Sequence, residues 1–181
     1  MFHENRTPPI ISIVGSSGAG KTTLLEKLIP ELVRRGLRVG TIKHHKHGFD
    51  MDQPGKDSWR HKKSGAAATI ISSPTRVGLV TDVDHDHEVE ELAPLLSGMD
   101  IILTEGYKRE KRTKIEVFRE DLHKEPLCRD DKHLIALVSD SPADLDVPQF
   151  STDDIRALTD FLLDHLNLIP FLSAQPRKAA S

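Results

Sequence analysis

The sequence predicts an α/β fold in three layers, with a mostly parallel central sheet covered by helices on both faces. Short runs rich in β-branched residues alternate along the chain with segments whose apolar residues recur at helical spacing. A glycine-rich segment joins the first predicted strand to the first predicted helix. Because parallel strands need crossover connections, this alternation favours a parallel sheet between two layers of helix.

The composition is that of an ordinary soluble globular protein. The chain has 181 residues, of which 37% are hydrophobic and 29% are charged, and this length suits one domain. We expect that domain to span residues 10–169. Residues 1–9 are polar and proline-rich and are expected to form a flexible extension. Two prolines and small polar residues predict a flexible tail at residues 170–181.

Charge and hydropathy argue against several classes of partner. The 25 basic and 28 acidic residues give a formal charge of −3, so we expect neither nucleic acid nor a membrane as a partner. No apolar run approaches the roughly 20 residues that cross a bilayer. The polar start lacks a secretion signal and the single Cys128 has no cysteine to pair with, which predicts a cytoplasmic protein. Cys128 itself is interpreted as an ordinary small residue.

In the first half of the chain, two predicted strands enclose one predicted helix. A β-branched run predicts a buried strand at residues 10–14, and helical spacing then begins at Lys21 and ends at Gly36. Pro30 lies inside this helix and is expected to bend it. A second strand is predicted at residues 38–43.

The remaining elements follow at regular intervals. A short helix is expected at residues 58–64 with Asp57 or Ser58 as its N-cap, and Ser151 with Asp154 predicts a capping box that opens the last helix. Strands at 68–72 and 76–80 are expected to form a hairpin over residues 68–81. Further segments predict a helix at 88–96 and strands at 100–105, 114–118 and 134–138.

The segment Gly15 to Thr22 reads GSSGAGKT, which is the complete phosphate-binding P-loop pattern. Its glycines allow positive φ angles, so that successive N–H groups point at an anion, and the helix that follows adds its dipole. Lys21 is expected to contact the β- and γ-phosphates, and Thr22 is expected to ligate Mg²⁺. The predicted nucleotide-binding residues are Gly15, Ser16, Ser17, Gly18, Ala19, Gly20, Lys21, Thr22 and Thr23.

Glu105 ends the hydrophobic strand DIILTE and precedes Gly106. Ligands of open α/β sheets lie at the carboxyl ends of the strands, which makes Glu105 a candidate for holding Mg²⁺ beside Thr22. The alternative is that Glu105 merely terminates a strand at the surface.

The stretch KHHKHGFDMD holds three histidines, two lysines and two spaced aspartates. The histidines His44, His45 and His47 are compatible with a transition-metal site, an anion or partner surface, or a solvated loop, although the adjacent lysines disfavour a cation. Asp50 and Asp52 are candidates for holding Mg²⁺ through water or for orienting the attacking water. Asp57 is either catalytic or a helix cap.

Four segments together carry a resemblance to a known family. They are GSSGAGKTTLLEKLIPEL, TIKHHKHGFDMDQPGKDS with the following SGAAATII, DIILTEGYK, and LIALVSD. In this order and spacing they resemble the molybdopterin-guanine dinucleotide biosynthesis adapter family, MobB, over residues 10–166. The P-loop alone is unspecific, whereas the GKDS and TEGYK segments make the likeness close.

The resemblance implies a GTP-binding P-loop protein with weak intrinsic GTPase activity, using GTP and Mg²⁺. It implies a homodimer built partly through the predicted hairpin, and a partner in the guanylyltransferase that attaches GMP to molybdopterin, with molybdopterin itself as a further candidate ligand. The family's functional positions correspond to Gly15–Thr22, Asp50, Asp52, the GKDS segment and Glu105. Lys21, Asp50 and Glu105 are thus the candidate catalytic residues, and Thr22, Asp50 and Glu105 the candidate metal ligands.

Guanine preference has no N-K-x-D motif to support it in this sequence. Asp140 follows the predicted strand LIALV, where a carboxylate is able to accept hydrogen bonds from guanine N1 and N2. Asp140 is therefore the hypothetical base-reading residue.

Two other functions use the same phosphate cradle. A small-molecule kinase would transfer the γ-phosphoryl group beneath an arginine-bearing lid, for which Arg109 and Arg112 are candidates. That segment is equally suited to be a basic surface for an anionic pterin or a partner protein. A metal-delivery GTPase would use His44, His45 and His47 as ligands.

Overall fold

The computed structural model describes residues 7–168, which belong to two compact units. The first unit contains the described residues before position 45 and after position 88, and the second unit spans His45–Glu88. Most of the expected N-terminal extension and all of the expected tail at 170–181 lie outside the described residues. The limits of the predicted domain stay a prediction.

Eight strands and four α-helices make up the described chain. The strands are β1 (Ile10–Val14), β2 (Val39–Lys43), β3 (Ala68–Ser72), β4 (Val77–Thr81), β5 (Ile101–Glu105), β6 (Lys114–Val117), β7 (Leu134–Val138) and β8 (Gln149–Phe150). The helices are α1 (Lys21–Arg34), α2 (Asp57–Lys63), α3 (Val89–Leu92), which continues as a 3₁₀ turn (Ala93–Leu96), and α4 (Ile155–His165).

The first unit is built on a six-stranded sheet with the order β2-β5-β1-β6-β7-β8. Every neighbouring pair in this sheet is parallel. The predicted α/β class with a mostly parallel sheet is therefore confirmed. The sheet order places the end of β1 between the ends of β5 and β6, where the P-loop begins.

Helices α1 and α4 bury one face of the sheet. Alternate strand residues point to this face, as the period of two in an extended chain requires. Its buried core consists mainly of Ile11, Ile13, Ile101, Leu103, Ile115, Val117, Ala136 and Val138 from the strands, with Leu24, Leu25, Leu28, Leu32, Leu158, Leu162 and Leu163 from the helices. Pro30 lies within α1 as predicted.

The opposite face of the central strands carries buried polar residues that the hydrophobic pattern does not reveal. Ser12 accepts a hydrogen bond from the hydroxyl of Thr104 at 2.9 Å. Lys114 and Glu116 in β6 are also buried. A smaller cluster of Val14, Cys128 and Leu134 packs nearby in the fold.

The second unit contains α2 and an antiparallel hairpin of β3 and β4. Ala68 pairs with Thr81 and Ser72 pairs with Val77, which confirms the predicted hairpin. Its turn is closed by Ser73, whose N–H donates to the carbonyl of Arg76 at 2.8 Å and whose Oγ accepts from the Arg76 N–H at 3.0 Å.

Several expectations about element ends are wrong. The N-cap of α2 is Lys56, and the hydroxyl of Ser58 instead donates to Asp52 at 3.1 Å. The capping box does not form, because Ser151 Oγ accepts from the N–H of Asp153 at 3.1 Å and Asp154 is itself the N-cap of α4. The predicted helix at 88–96 tightens into a 3₁₀ turn at Ala93 because Pro94 supplies no N–H.

Candidate nucleotide-binding site

The P-loop backbone has the conformation that its glycines predict. Gly15, Gly18 and Gly20 have φ angles of 141°, 78° and 99°, a region that side chains disfavour. A Cβ atom on Gly15 would lie 2.3 Å from the carbonyl oxygen of Val117. Glycine is thus required at Gly15 both for the turn and for its close approach to β6.

Helix α1 begins directly after this loop, with Gly20 as its N-cap and no acidic residue in its first turn. The first N–H groups of a helix lack partners inside the helix and attract anions. Thr22 and Thr23 are exposed in this first turn. The backbone from Gly15 to Thr23 therefore forms a phosphate cradle of the expected kind.

Lys21 is folded back over the cradle. Its Nζ donates hydrogen bonds to the carbonyl oxygens of Gly15 at 3.1 Å and Ser16 at 2.7 Å. Burial lowers the pKa of Lys21, and the positive charges of Lys108 and Lys43 lower it further against the opposing effect of Glu105. Three lysines thus share the electrostatic environment of the cradle.

Thr22 and Glu105 come together at the edge of the loop. The Thr22 hydroxyl donates to Glu105 Oε1 at 3.0 Å, and Lys43 Nζ lies 3.4 Å from Glu105 Oε2. Neighbouring oxygen ligands of an octahedral Mg²⁺ ion are also about 3 Å apart. The two oxygen donors fit Mg²⁺, which P-loop proteins usually bind with their nucleotide.

A cavity of about 680 Å³ adjoins the start of α1. Its lining comes from segments that follow the carboxyl ends of β1, β6 and β7, which is where open α/β sheets bind ligands. The polar lining residues include Thr23, Lys27, Arg119, Asp121, Asp140 and Thr152. The cavity therefore extends the phosphate cradle with a space of suitable size for the rest of a nucleotide.

Asp140 lines this cavity, as a base-reading residue should. Its Oδ1 accepts hydrogen bonds from the N–H and the hydroxyl of Thr152 at 3.0 and 2.9 Å. These bonds, followed by the charges of Lys27 and Arg119, hold the pKa of Asp140 below its usual range. The carboxylate is thus ionised at neutral pH and fixed in orientation.

Asp50 and Asp52 belong to the second unit. Asp50 is exposed, and Asp52 accepts from the N–H of Gln53 at 2.8 Å and from Ser58. Asp52 therefore organises the GKDS segment. The proposed catalytic and metal-binding role of Asp50 stays a prediction.

The histidines of the opening stretch lie in different surroundings. His44 belongs to the first unit, where its ring centroid lies 4.7 Å from that of Tyr107. His45 and His47 belong to the second unit, with centroids 6.2 Å apart in an edge-on arrangement.

The two arginines of the supposed kinase lid also differ in their surroundings. Arg112 forms ion pairs with Glu90 and Glu110 at 2.6 Å each, which restrain its side chain. Arg109 is exposed.

The most important residue missed by sequence reasoning is Lys114. Its fully buried Nζ donates to Asp131 at 2.5 Å and to the carbonyl oxygens of Glu110 at 2.9 Å and Lys108 at 3.3 Å. Lys114 therefore anchors the segment that follows Glu105. The signal in the sequence was the lysine in the strand KIEV. Both faces of a central strand are buried, so a charged residue there needs partners inside the protein.

Buried Glu116 has a similar structural role. Its carboxylate accepts hydrogen bonds from the N–H groups of Leu127 and Cys128 at 2.7 and 2.8 Å. Burial, followed by the charge of Glu116, raises the pKa of the Cys128 thiol to about 11. Cys128 is therefore an unreactive core residue, as the sequence suggested.

Comparisons with known proteins cover most of the chain. The family model of MobB, molybdopterin guanine dinucleotide synthesis protein B, matches residues 10–140. The molybdopterin-guanine dinucleotide biosynthesis adapter protein of Escherichia coli K12 is 43% identical over 161 residues, which are 86% of this chain and 92% of that protein. The adapter protein of the same name from Haemophilus influenzae is 36% identical over 165 residues, covering 90% and 92% of the two chains.

A solved structure agrees with these sequence matches. The crystal structure of molybdopterin-guanine biosynthesis protein B superposes with a TM-score of 0.69 at 28% identity, covering 86% of this chain and 99% of that one. The family match contains the P-loop, Glu105 and Asp140. The chain therefore belongs to the MobB family.

Proposed function

We propose that this chain is a GTP-binding adapter with weak GTPase activity that assists the guanylyltransferase of molybdopterin guanine dinucleotide biosynthesis. The observation that carries the proposal is one continuous site, in which the P-loop, the Thr22–Glu105 pair and the cavity lined by Asp140 adjoin one another. The adapter role rests on the names of the relatives.

The phosphates are bound by the backbone N–H groups from Gly15 to Thr23 and by Lys21. Thr22 and Glu105 would hold Mg²⁺, which would supply positive charge beside the phosphates of the nucleotide. Lys21 leaves its carbonyl partners at Gly15 and Ser16 when a phosphate oxygen provides a stronger, charge-assisted hydrogen bond.

The guanine base occupies the cavity beside α1, where the ionised Asp140 accepts hydrogen bonds from its N1 and N2 groups. A carboxylate has about four lone-pair sites. Thr152 donates one N–H to Oδ1 and one O–H that is shared between Oδ1 and Oδ2 at 2.9 and 3.1 Å, so Asp140 keeps acceptor capacity for the base. The hydrogen bonds from Thr152 orient Asp140 toward this task.

Hydrolysis requires a water molecule aligned with the terminal phosphate. Asp50 is assigned to orient that water. It lies on an irregular, exposed segment after β2, and catalytic groups on loops are held less accurately than those on strands or helices. Weak intrinsic hydrolysis is the expected consequence.

Two surfaces suit the proposed partners. Lys108, Arg109 and Lys111 are exposed on the segment after β5 and offer positive charge to an anionic molybdopterin or to the guanylyltransferase. In the second unit, Ile70, Val77 and Leu79 share one exposed face of the hairpin. This apolar face is assigned to the homodimer interface.

The test is a titration of the protein with a fluorescent GTP analogue in the presence of Mg²⁺. Lys21→Ala is expected to weaken binding by about a hundredfold, because a charged hydrogen-bonding group is lost from the phosphate site. Lys132→Ala, which removes an exposed lysine before β7, is the matched control. Binding of GTP by Lys21→Ala at the parent affinity would overturn the site, provided that both variants melt like the parent.

Release of phosphate without an added acceptor separates this proposal from the kinase. Slow hydrolysis to water, unchanged by candidate acceptor molecules, supports the GTPase, whereas acceptor-dependent transfer supports the kinase. The partner is tested by GTP-dependent co-purification with the guanylyltransferase, which Lys21→Ala should abolish. Capture that is independent of nucleotide would contradict a nucleotide-dependent adapter.

A further inference from the structure

The carboxylate of Glu105 is shared between a candidate Mg²⁺ ligand and a lysine. Its Oε1 accepts from the Thr22 hydroxyl at 3.0 Å, while its Oε2 lies 3.4 Å from Lys43 Nζ. Lys43 and Glu105 are paired residues at the ends of the adjacent strands β2 and β5. Lys43 therefore pairs with one oxygen of the carboxylate whose other oxygen contacts the candidate Mg²⁺ ligand Thr22.

We propose that Lys43 senses the terminal phosphate of a nucleoside triphosphate by moving from Glu105 to that phosphate. The move releases Glu105 for Mg²⁺, so that the terminal phosphate and the metal ion bind together. This inference rests on the proposed nucleotide-binding function, and it adds a reason why the site should prefer triphosphate to diphosphate.

The electrostatics of the pair favour this coupling. An ammonium group beside Glu105 repels a divalent cation and competes with it for the same carboxylate. A diphosphate lacks the terminal phosphate, so in this proposal Lys43 stays paired with Glu105 and Mg²⁺ binding is opposed. With a triphosphate, the terminal phosphate offers Lys43 a charge-assisted hydrogen bond, and the opposition disappears.

Lys43 is mobile enough to exchange partners because its side chain is 59% exposed and Glu105 is 15% exposed. A lysine carries its charge on a flexible stem, and an ion pair whose lysine is exposed to solvent is weakened by that solvent. The cost of breaking the contact is therefore small beside the gain from a phosphate.

The backbone beneath the pair is rigid, which confines the motion to the side chain. The N–H of His44 donates to the carbonyl of Glu105 at 3.0 Å. A Cβ on Gly106 would lie 3.1 Å from the Cβ of His44, so the two strand ends are in close contact. Lys114 anchors the following segment through the carbonyls of Lys108 and Glu110.

The charged groups that act on Lys21 at the phosphate end of the site suit a Mg²⁺-bound triphosphate. Lys43 and Lys108 both act on the electrostatic environment of Lys21, together with Glu105. Three ammonium groups and one carboxylate leave two positive charges. A triphosphate that has bound Mg²⁺ keeps about two negative charges at neutral pH, whereas the diphosphate complex keeps fewer.

The experiment measures affinities of the whole protein for a non-hydrolysable GTP analogue and for GDP, each with and without Mg²⁺, before and after Lys43→Met. In the variant, the ratio of the affinity for the GTP analogue to the affinity for GDP is expected to fall about tenfold. The variant is also expected to bind Mg²⁺ to its GDP complex at a several-fold lower concentration, because Glu105 no longer pairs with a lysine. Lys132→Ala serves again as the charge-matched control and should change neither value.

These two changes have opposite directions, so general damage to the site does not produce both. An unchanged triphosphate preference in Lys43→Met, or weaker Mg²⁺ binding to its GDP complex, would overturn the role of Lys43 and leave the proposed GTP-binding function intact. Failure of the unmodified protein to bind either nucleotide would overturn both proposals.

Discussion

At the scale of single residues, hydrogen bonds connect site residues that are far apart in the sequence. Thr22 and Glu105 are 83 positions apart and share a hydrogen bond of 3.0 Å. Asp140 and Thr152 likewise meet at the cavity. The identity of one such residue, Asp140, is expected to decide which base is bound.

Asp140→Asn is expected to reduce the preference for GTP over ATP by about tenfold, which corresponds to roughly 1.4 kcal/mol. The amide presents a donor where the carboxylate accepted two bonds, and hydrogen bonds to charged groups contribute about 1.5–3 kcal/mol. Competition of the two nucleotides against one fluorescent ligand measures the ratio. Asp144→Asn removes a fully exposed carboxylate from the same loop region and is the control. An unchanged ratio in Asp140→Asn would show that guanine is recognised elsewhere.

At the scale of elements, the buried Lys114 connects β6 to the two segments on either side of it. Asp131 accepts from Lys114 Nζ at 2.5 Å and from the N–H of His133 at 2.9 Å. Burial raises the pKa of Asp131, but these hydrogen bonds and the charge of Lys114 outweigh it, so the pKa is lowered on folding. A carboxyl group whose pKa is lower in the folded state stabilises the fold above its unfolded pKa, and this contribution is lost as the pH falls through the folded pKa.

Asp131→Asn is therefore expected to lower the free energy of unfolding at pH 7 by about 2–3 kcal/mol, because it leaves the buried Lys114 without its counter-charge. The Asp131 side chain is 29% exposed, which places the effect somewhat below the roughly 3–5 kcal/mol of a fully buried pair that loses one partner. When the pH is lowered from about 5 to about 3, the free energy of unfolding should also decrease less in the variant than in the parent. Urea unfolding at both pH values measures the difference, with exposed Asp130→Asn as the control. A parallel acid decline in Asp131→Asn and the parent would refute the assignment.

The same elements show how far the sequence could be interpreted by itself. Strands β1, β3 and β7 were predicted to the residue because each is a dense apolar or β-branched run between turn residues. The two-residue β8 is too short to produce such a pattern. The helix caps at Lys56 and Asp154 were not predicted because the Ser58 and Ser151 side chains form hydrogen bonds with Asp52 and Asp153 instead. Local propensity does not indicate which of several possible hydrogen bonds a serine forms.

At the scale of the whole molecule, the two units differ in how much apolar surface they bury. The first unit buries most residues of its four central strands, β5, β1, β6 and β7, and carries the cradle, the cavity and the Lys43–Glu105 pair. The second unit exposes apolar side chains on its hairpin, with Ile70 at 66%, Val77 at 72% and Leu79 at 45% of their full area. Within residues 7–168, no helix combines the length and apolarity needed to cross a bilayer.

The exposed apolar face of the hairpin bears on the oligomeric state. Ile70 and Leu79 are directly opposed in the hairpin, so their side chains stand on the same face. Replacing both with aspartate places two charges where an apolar contact is proposed, and burial of an unpaired charge is strongly unfavourable. The double variant is expected to elute as a monomer in size-exclusion chromatography with light scattering, and the parent is expected to elute as a dimer. Val83→Asp introduces one such charge at an exposed apolar residue outside the hairpin and should remain dimeric. A double variant that stays dimeric, or a parent that is monomeric at tens of micromolar, would remove the hairpin from the proposed interface.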